Sequence, residues 1–393
     1  FVPPPRDIIN QLKSGAEKKS DIIVDYSLFP QEAKDAFEYA VDIWEHIIES
    51  PVPIYVEANW RSKPKNVLGS CGPSDYFTNF KNIPHENVYY PVAIVEKLSQ
   101  QQLTGPGLPD MIAEFNKTVD WYFGTDGNTP DSLHDFVTVV MHEMGHGLGI
   151  TGFFYVSGDV GSSAYVEIGD LASFDLLVFQ QGEQQLSDTS LFQNPSEKLK
   201  NALTSNALYA KSPAAMTQNS PYLPRLFAPR EFDDGSSIYH LNDDTYGVGN
   251  ENSLMTPYIS KGEAIHDPGP ITRGIMADIG WMHMYISHHQ VKDIEEIKPL
   301  NFEINIESNF AIDTSSLFVY YSIDAFKSKK DSLPLLWSAE SNSFAAELIP
   351  KKNASTIHYY VEAGDVKNRK FTIPSEAPRE LYAINIGPDN IQP

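Results

Sequence analysis

The segment His142-Glu143-Met144-Gly145-His146 combines residue types and a spacing that suit hydrolysis at a metal ion. Two histidines four positions apart lie on one face of a helix, so both imidazoles can reach the same metal. A zinc ion with three protein ligands lowers the pKa of its bound water to about 7, and a nearby carboxylate can accept the proton as that water attacks a peptide carbonyl. The spacing therefore predicts His142 and His146 as zinc ligands and Glu143 as the general base.

A helix has to carry these residues, and the surrounding sequence favours one. Asp131 and Ser132 follow Pro130 and offer N-cap side chains, so we expect the helix to begin there. One face of the helix can pack while another presents the ligands, and the alternative is a pair of core histidines satisfied by hydrogen bonds. The apolar stripe at helical spacing comprises Val137, Val140, Met144 and Leu148.

A catalytic zinc site requires a third protein ligand, and the first candidate lies far downstream. Gly149 follows His146 by three residues and can take the left-handed conformation that turns the chain at the end of the helix. His240 comes much later and is followed by Met255 within the sequence Asn-Ser-Leu-Met-Thr-Pro. The complete pattern is HExxHxxG, then a distant histidine, then a methionine.

This pattern resembles the metzincin clan of metallopeptidases, in which a third histidine follows the glycine and a methionine turn lies beneath the zinc. The long insertion is similar to that of the leishmanolysin-like branch. The resemblance implies that His142, His146 and His240 bind zinc, that Glu143 is the general base and that Met255 forms a hydrophobic floor.

Two features depart from that family pattern. Gly152 stands where the short-spaced metzincins have their third histidine, and Cys71 is the only cysteine, whereas the classical leishmanolysin-like members are rich in cysteine. Cys71 lies in the loop-like sequence Gly-Ser-Cys-Gly-Pro, where a thiolate could bind zinc and hold the enzyme latent, as in the propeptides of matrix metalloproteinases. A small buried thiol is the alternative.

The second candidate for the third ligand is Glu167, in the sequence Tyr-Val-Glu-Ile-Gly-Asp. It resembles the gluzincin arrangement of thermolysin-like enzymes, where a glutamate on a following helix is supported by an aspartate. Ligation by two histidines and a glutamate would satisfy zinc, but it would leave Gly149, His240 and Met255 without a role. Both candidates stay open at this point.

Charge limits the partners that the chain can take. The net charge is −23 and the acidic residues are spread along the chain, so nucleic acid would be repelled. Hard oxygen ligands near His240 could hold a structural calcium ion, and a solvated acidic loop is the competing interpretation. These residues are Asp233, Asp234, Asn242, Asp243, Asp244 and Glu251.

No apolar run approaches the roughly eighteen residues needed to cross a membrane, which predicts a soluble chain without a membrane span. The sequence begins at Phe1 rather than methionine, so we expect any signal peptide or propeptide to lie outside it. We interpret the protein as secreted or displayed at a cell surface.

The first part of the chain predicts an α+β fold. After an N-terminal arm at residues 1–20, a metzincin-like catalytic domain with a mixed twisted sheet, a zinc helix and a C-terminal subdomain is expected at residues 21–285. Residues 110–116 are the candidate edge strand along which an extended substrate could lie. Strands are predicted at residues 21–26, 53–58, 88–94 and 110–116, and helices at residues 31–49 and 271–279.

After a linker at residues 286–298, the pattern becomes all-β over residues 299–393. The spacing of short apolar runs predicts a β-sandwich of the immunoglobulin or fibronectin type III kind. It has no catalytic constellation, so we expect it to be a spacer or to dock to substrate or to a cell surface. The runs are residues 301–306, 317–323, 333–337, 344–349, 356–362, 369–373 and 381–386.

The sequence is therefore interpreted as a zinc-dependent endopeptidase that acts on protein or peptide substrates, with Glu143 as the base for a zinc-bound water. The metzincin resemblance covers roughly residues 21–281. Two alternatives are a gluzincin-type protease that uses Glu167, and a catalytically silent zinc protein that binds a surface through its sandwich domain.

Overall fold

The computed structural model describes residues 1–80, 83–105, 107–164, 171–181, 184–219, 223–281, 284–308, 311–351, 354–366, 370–374, 377–378 and 381–387. The chain divides into two units, Phe1–Trp281 and Met282–Pro393. Helices and several separate sheets are present, so the protein has a mixed α and β structure that is compatible with the predicted α+β class. No helix within the described ranges is long and apolar enough to cross a membrane.

Along the chain, the helices of the first unit occur both before and after the segment that carries the predicted zinc ligands. They are α1 (Arg6–Ser14), α2 (Gln31–Ile47), α3 (Val92–Ser99), α4 (Phe136–Gly147), α5 (Glu197–Leu203), α6 (Pro213–Asn219), α7 (Asp243–Tyr246) and α8 (Gly269–Met276). A 3-10 helix spans Ser173–Leu177 and a π-helical turn spans Ala277–Trp281.

Strands of the first unit are short outside its main sheet. They are β1 (Ile22–Ser27), β2 (Ile54–Arg61), β3 (Gly69–Pro73), β4 (Tyr76–Phe77), β5 (Tyr90–Pro91), β6 (Met111–Asn116), β7 (Trp121–Tyr122), β8 (His134–Asp135), β9 (Phe154–Ser157), β10 (Val160–Ser163), β11 (Val178–Gln180), β12 (Gln184–Gln185) and β13 (Leu208–Ala210).

The main sheet has the strand order β1-β2-β6-β3. β1, β2 and β6 run parallel, with Val24 opposite Val56 and Val56 opposite Met111, whereas β3 is antiparallel to β6. β6 is therefore interior and β3 is the edge strand, so the expectation that residues 110–116 form the edge was wrong. Met111, Ala113 and Phe115 are buried on one face of β6, and Ile112 is exposed on the other.

An aromatic core joins α2 and α4 to this sheet. Phe37, Phe115 and Phe136 are buried, and their rings meet edge to face with centroids 5.6 Å apart for the first pair and 5.2 Å for the second. Each such contact contributes about 0.5–1.5 kcal/mol beyond the area it buries. Trp44 of α2 also donates its indole N–H to the Met141 carbonyl at 3.3 Å, which fixes α4 lengthwise against α2.

α4 begins later than the sequence predicts. Its N-cap is Asp135, whose Oδ1 accepts the Thr138 N–H at 2.8 Å, and not Asp131 or Ser132. The strand β8 pairs in parallel with β7 and holds its residues extended, so the helix cannot start before Phe136.

Asp135 also organises a buried polar cluster behind α4. Its Oδ1 lies 2.9 Å from His266 Nε2, and its Oδ2 accepts the Thr129 hydroxyl at 2.8 Å. The Thr138 hydroxyl in turn accepts the Ile265 N–H at 2.7 Å. His266 is therefore a partner of the helix cap.

Two other predicted elements differ from the structure. Only Tyr90–Pro91 of the predicted strand at residues 88–94 is extended, and α3 begins at Val92. All eight residues of α3 are buried. Without an exposed polar face, the sequence of this segment lacks the polar and apolar alternation by which a helix is predicted. The arm at residues 1–20 contains α1, which ends at Gly15 with a φ of +64°, and Val2 pairs with Ile265.

The second unit contains two sheets, ordered β14-β15-β19-β18 and β17-β16-β20-β21, with β22 paired to β20. Buried residues from both sheets form one apolar core that includes Phe302, Ile304, Val319, Tyr359 and Val361. The strands are β14 (Met284–His288), β15 (Leu300–Ser308), β16 (Ile312–Ser322), β17 (Asp331–Pro334), β18 (Leu336–Ser338), β19 (Ser343–Leu348), β20 (Thr356–Asp365), β21 (Lys370–Ile373) and β22 (Tyr382–Asn385).

Each predicted run of this unit overlaps a strand, but β14 was missed. The sequence placed residues 286–288 in a linker, whereas β14 pairs with β15 through Ile286 and Ile306. His288 lies in that strand with its Nε2 2.9 Å from the Tyr359 hydroxyl. A five-residue strand that ends in a serine and a histidine has no clear apolar alternation, which explains the error.

Asp135→Ala should lower the free energy of unfolding by about 2–4 kcal/mol, because the change removes a helix cap and leaves buried partners unsatisfied. Urea unfolding followed by circular dichroism measures the loss. Asp131→Ala is the matched control at the N-cap position expected from the sequence, and it should change stability by less than about 0.5 kcal/mol. Equal losses in the two variants would contradict the assignment of Asp135 as the cap.

Candidate functional site

α4 presents His142 and His146 on one face, as their spacing predicts. Their Nε2 atoms are 3.1 Å apart and their ring centroids 4.9 Å apart. His142 is buried and His146 is partly buried, within a helix whose other residues are buried. The two imidazoles therefore converge on one point at the open side of the helix.

His240 brings a third imidazole to the same point. Its Nε2 lies 3.2 Å from His146 Nε2 and 3.2 Å from His142 Nε2. Within the described part of the chain, these histidines are the one group of three or more His, Cys, Asp or Glu residues whose ligand atoms all lie within 4.8 Å of one another. We refer to His142, His146 and His240 as the histidine triad.

The tautomer of each imidazole follows from its second nitrogen. In each ring, Nδ1 lies close to a backbone carbonyl. The His142 Nδ1 is 2.7 Å from the Leu254 carbonyl, and the His146 Nδ1 is 2.7 Å from the Ile150 carbonyl. The His240 Nδ1 is 2.8 Å from the Ser236 carbonyl. A carbonyl oxygen only accepts hydrogen bonds, so each Nδ1 carries the proton. Each neutral ring then directs an Nε2 lone pair into the cluster.

The pKa values of the triad keep the rings neutral. Burial lowers the pKa of His142 to about 3, and burial also lowers the pKa of His146. Burial and the two neighbouring imidazoles lower the pKa of His240 well below its usual value. Neutral imidazole is the form that binds a metal ion.

The triad fits a tetrahedral metal ion. A zinc ion with ligand distances of 2.0–2.1 Å would place its ligand nitrogens about 3.3 Å apart, and the triad nitrogens lie 3.1–3.2 Å apart. Three imidazoles occupy three of four positions, which leaves one position for water or substrate. The arrangement could therefore hold a metal of the kind that imidazole favours, such as zinc, copper, iron or nickel.

Glu143 lies between the triad and the edge strand β3. The Cys71 backbone amide hydrogen-bonds to its carboxylate, and a Cβ on Gly69 would lie 3.1 Å from its Cγ. Gly69 therefore leaves the space that Glu143 occupies. Burial raises the pKa of Glu143 to about 8, although the positive charge of Lys63 works in the opposite direction.

Met255 packs against α4 at Gly145. A Cβ on Gly145 would lie 2.7 Å from Met255 Sδ, so the sulfur contacts α4 between its two histidines. Met255 is buried, and its carbonyl accepts the Leu241 N–H at 2.7 Å. The methionine therefore links the backbone next to His240 to the floor of the site.

Two glycines shape the exit of α4. Gly149 has a φ of +123°, and its Cβ would lie 2.9 Å from both Ile279 and Ile94. This turn brings the Ile150 carbonyl to His146. A Cβ on Gly152 would lie 2.1 Å from a carboxylate oxygen of Asp175, so the position that holds the third histidine of short-spaced metzincins has no room for a side chain here.

A cleft of about 800 Å³ opens beside the triad. Leu68, Gly69 and Ser70 of the β3 side line one wall, and Asp233 and Tyr258 line another. An extended chain of several residues fits in a cleft of this size, within reach of the triad and Glu143.

The remaining predicted residues have different outcomes. Glu167 lies outside the described residues. Cys71 packs against α4, since a Cβ on Gly147 would lie 2.6 Å from its Sγ, and it does not belong to the triad cluster. Burial raises the pKa of its thiol. The carboxylates proposed for calcium, from Asp233 to Glu251, are all described and form no cluster of three ligand groups.

Sequence reasoning missed the contacts that surround the predicted residues. Gly69 faces Glu143, and the Tyr239 hydroxyl lies 2.8 Å from Asp175 Oδ1, 64 residues earlier in the chain. Gly69 was a signal that this strand packs closely against a neighbour, whereas Gly72 has open space at its Cβ position. No local pattern connects Tyr239 to Asp175.

Comparison with known proteins covers part of this site. A family model described as SPBPB7E8-like matches residues 23–159, which include His142, Glu143 and His146 and end before His240. No curated protein matches the chain significantly.

Gly149→Ala should destabilise the protein by about 2–4 kcal/mol, because the new methyl group meets two buried isoleucines in a backbone conformation that favours glycine. Gly158→Ala is the control, since Gly158 also has a positive φ, +58°, but has nothing within 4 Å of its Cβ position. Urea unfolding of both variants compares a crowded glycine at a φ of +123° with an uncrowded one in the left-handed region that other residues can also adopt. A Gly149→Ala protein as stable as Gly158→Ala would contradict the crowding.

Proposed function

We propose that the protein is a zinc-dependent endopeptidase of the metzincin type, with the long insertion of the leishmanolysin-like branch. The observation that carries this proposal is the convergence of three neutral imidazole lone pairs on one point, next to the buried carboxylate of Glu143. His142, His146 and His240 would hold the ion. The Met255 contact beneath them and the turn at Gly149 add further support.

Zinc, when bound, would supply Lewis acidity and a water of lowered pKa. Glu143 accepts the proton from the attacking water and then delivers it to the leaving amine. Its raised pKa of about 8 suits both transfers near neutral pH. A cation at the triad would lower the pKa of Glu143, as Lys63 does. It would therefore favour the carboxylate form of Glu143, which is the form that accepts the proton.

We propose that the substrate is an extended protein or peptide segment. The antiparallel strand β3 is the edge of the main sheet, and its residues Gly69, Ser70 and Cys71 line the cleft. An extended peptide can add a strand to such an edge, so that its backbone is fixed by hydrogen bonds and its scissile bond lies near Glu143.

The second unit is proposed to dock to the substrate or to a cell surface, in a protein that is secreted or displayed outside the cell. Its described residues include no cluster of metal-ligating side chains, which supports a role other than a second catalytic centre.

His240→Ala should weaken zinc binding by at least about 100-fold, because it removes a ligand rather than a neighbour of a ligand. His142→Ala and His146→Ala should do the same, and His134→Ala should bind zinc like the wild type. Competition with a chromophoric chelator measures the affinity. If Glu167→Ala lost zinc and His240→Ala retained it, the gluzincin arrangement would replace the one proposed.

Glu143→Ala should lower kcat on casein or a quenched peptide library by about 10²–10⁴-fold while retaining zinc, because it removes the base and leaves the ligands. A chelator should abolish wild-type cleavage and added zinc should restore it. Glu251→Ala, a change at an exposed carboxylate, is the control and should leave cleavage unchanged. Zinc binding without chelator-sensitive cleavage would instead favour a silent zinc protein.

A further inference from the structure

Tyr239, the residue directly before the third histidine of the triad, is joined to Asp175 by a buried hydrogen bond. The Tyr239 hydroxyl donates to Asp175 Oδ1 at 2.8 Å and accepts the Phe154 N–H at 2.7 Å. Asp175 is fully buried, and its Oδ2 accepts the N–H groups of Phe153 and Ala172 at 3.0 and 2.8 Å. The pair therefore connects the chain beside the triad to two other segments.

One of these segments also holds His146. The Ile150 carbonyl accepts the proton of His146 Nδ1 at 2.7 Å, and Gly152 follows two residues later. A Cβ on Gly152 would lie 2.1 Å from Asp175 Oδ1 and 2.5 Å from the Tyr239 ring, so these two side chains fill the space at the exit of α4. The pair spans the gap between the α4 exit and the segment that carries the third ligand.

The backbone before Tyr239 is strained. Ile238 is fully buried and has a φ of +78°, a conformation that a β-branched residue rarely adopts. Its N–H donates to the Phe227 carbonyl at 2.7 Å, and the Phe227 N–H donates to the His240 carbonyl at 2.8 Å. Those bonds lie within the downstream half of the unit, whereas the Tyr239–Asp175 bond reaches the segment that follows α4. Relaxation at Ile238 would rotate the next residues and move the His240 imidazole.

We propose that Tyr239 and Asp175 are positioning residues that fix His240 relative to the two histidines of α4. This inference rests on the proposed zinc function and extends it to residues that are not ligands. Loss of an outer partner that orients a ligand typically costs 10–100-fold in metal affinity, and Tyr239 and Asp175 would orient His240 through the backbone that carries it rather than through its imidazole. Loss of the pair therefore weakens zinc binding while the ligand set stays the same.

The test is Tyr239→Phe in the full chain, with Tyr155→Phe as the matched control. Tyr155 is 40 % exposed in the neighbouring strand β9. We expect the zinc affinity of Tyr239→Phe, measured by chelator competition, to fall about 10–100-fold. The visible absorption of the Co²⁺-loaded variant should change in intensity, because the ligand geometry changes, and its peptide cleavage should recover at saturating zinc. Tyr155→Phe should match the wild type in all three measurements.

A folded Tyr239→Phe protein with wild-type zinc affinity and an unchanged cobalt spectrum would overturn the inference, even if its Tm fell. A merely structural role lowers Tm without changing either measurement. Asp175→Asn provides a second variant of equal size if Tyr239→Phe does not fold. Where both fold, the double variant should bind zinc no more weakly than the weaker single variant, since the two residues act as a unit, and additive losses would contradict this.

Failure of the proposed function gives a different result. A wild-type protein that binds no zinc, or a His240→Ala variant that binds it as tightly as the wild type, refutes the proposed zinc site itself. A wild type that binds zinc through His240, together with unaffected Tyr239 and Asp175 variants, refutes only the positioning role.

Discussion

The structure depends on one electrostatic constraint, which is that three imidazole nitrogens face one another without a proton between them. Each Nδ1 donates to a backbone carbonyl, of Leu254, Ile150 or Ser236, so every Nε2 contributes an electron pair to the same point. The Nε2 atoms lie 3.1–3.2 Å apart, and their electron pairs repel one another where burial removes the water that would screen them. A cation bound at this point would offset the repulsion.

α4 is anchored at several points. Asp135 caps its start, Trp44 fixes its middle against α2, and Gly149 ends it so that the next carbonyl can reach His146. Met255 supports the helix from below. These contacts restrain a shift of α4, so the third imidazole has to be held against a fixed pair.

The sequence allowed the local parts of this arrangement to be predicted, because their causes are local. The four-residue spacing of His142 and His146 and the turn at Gly149 follow from helix geometry. His240 was found only through a family resemblance, since no short-range pattern connects it to α4. Errors arose where distant pairing decides the outcome. The pairing of β8 with β7 delayed the start of α4, and the strand order placed β3 instead of β6 at the sheet edge.

The positions of the three carbonyls along the chain bear on the order of folding events. The bond from His142 to Leu254 spans 112 residues, and His240 lies 98 residues from His142. Loops of this length close slowly and at a cost in chain entropy, so we expect the triad to assemble after the local elements of the first unit have formed. Small zinc domains fold around their ion, whereas an ion at this triad would be captured by a nearly finished fold. The ion would then stabilise the folded protein by mass action, and this stabilisation would grow with the concentration of free metal. It would slow unfolding more than it speeds folding.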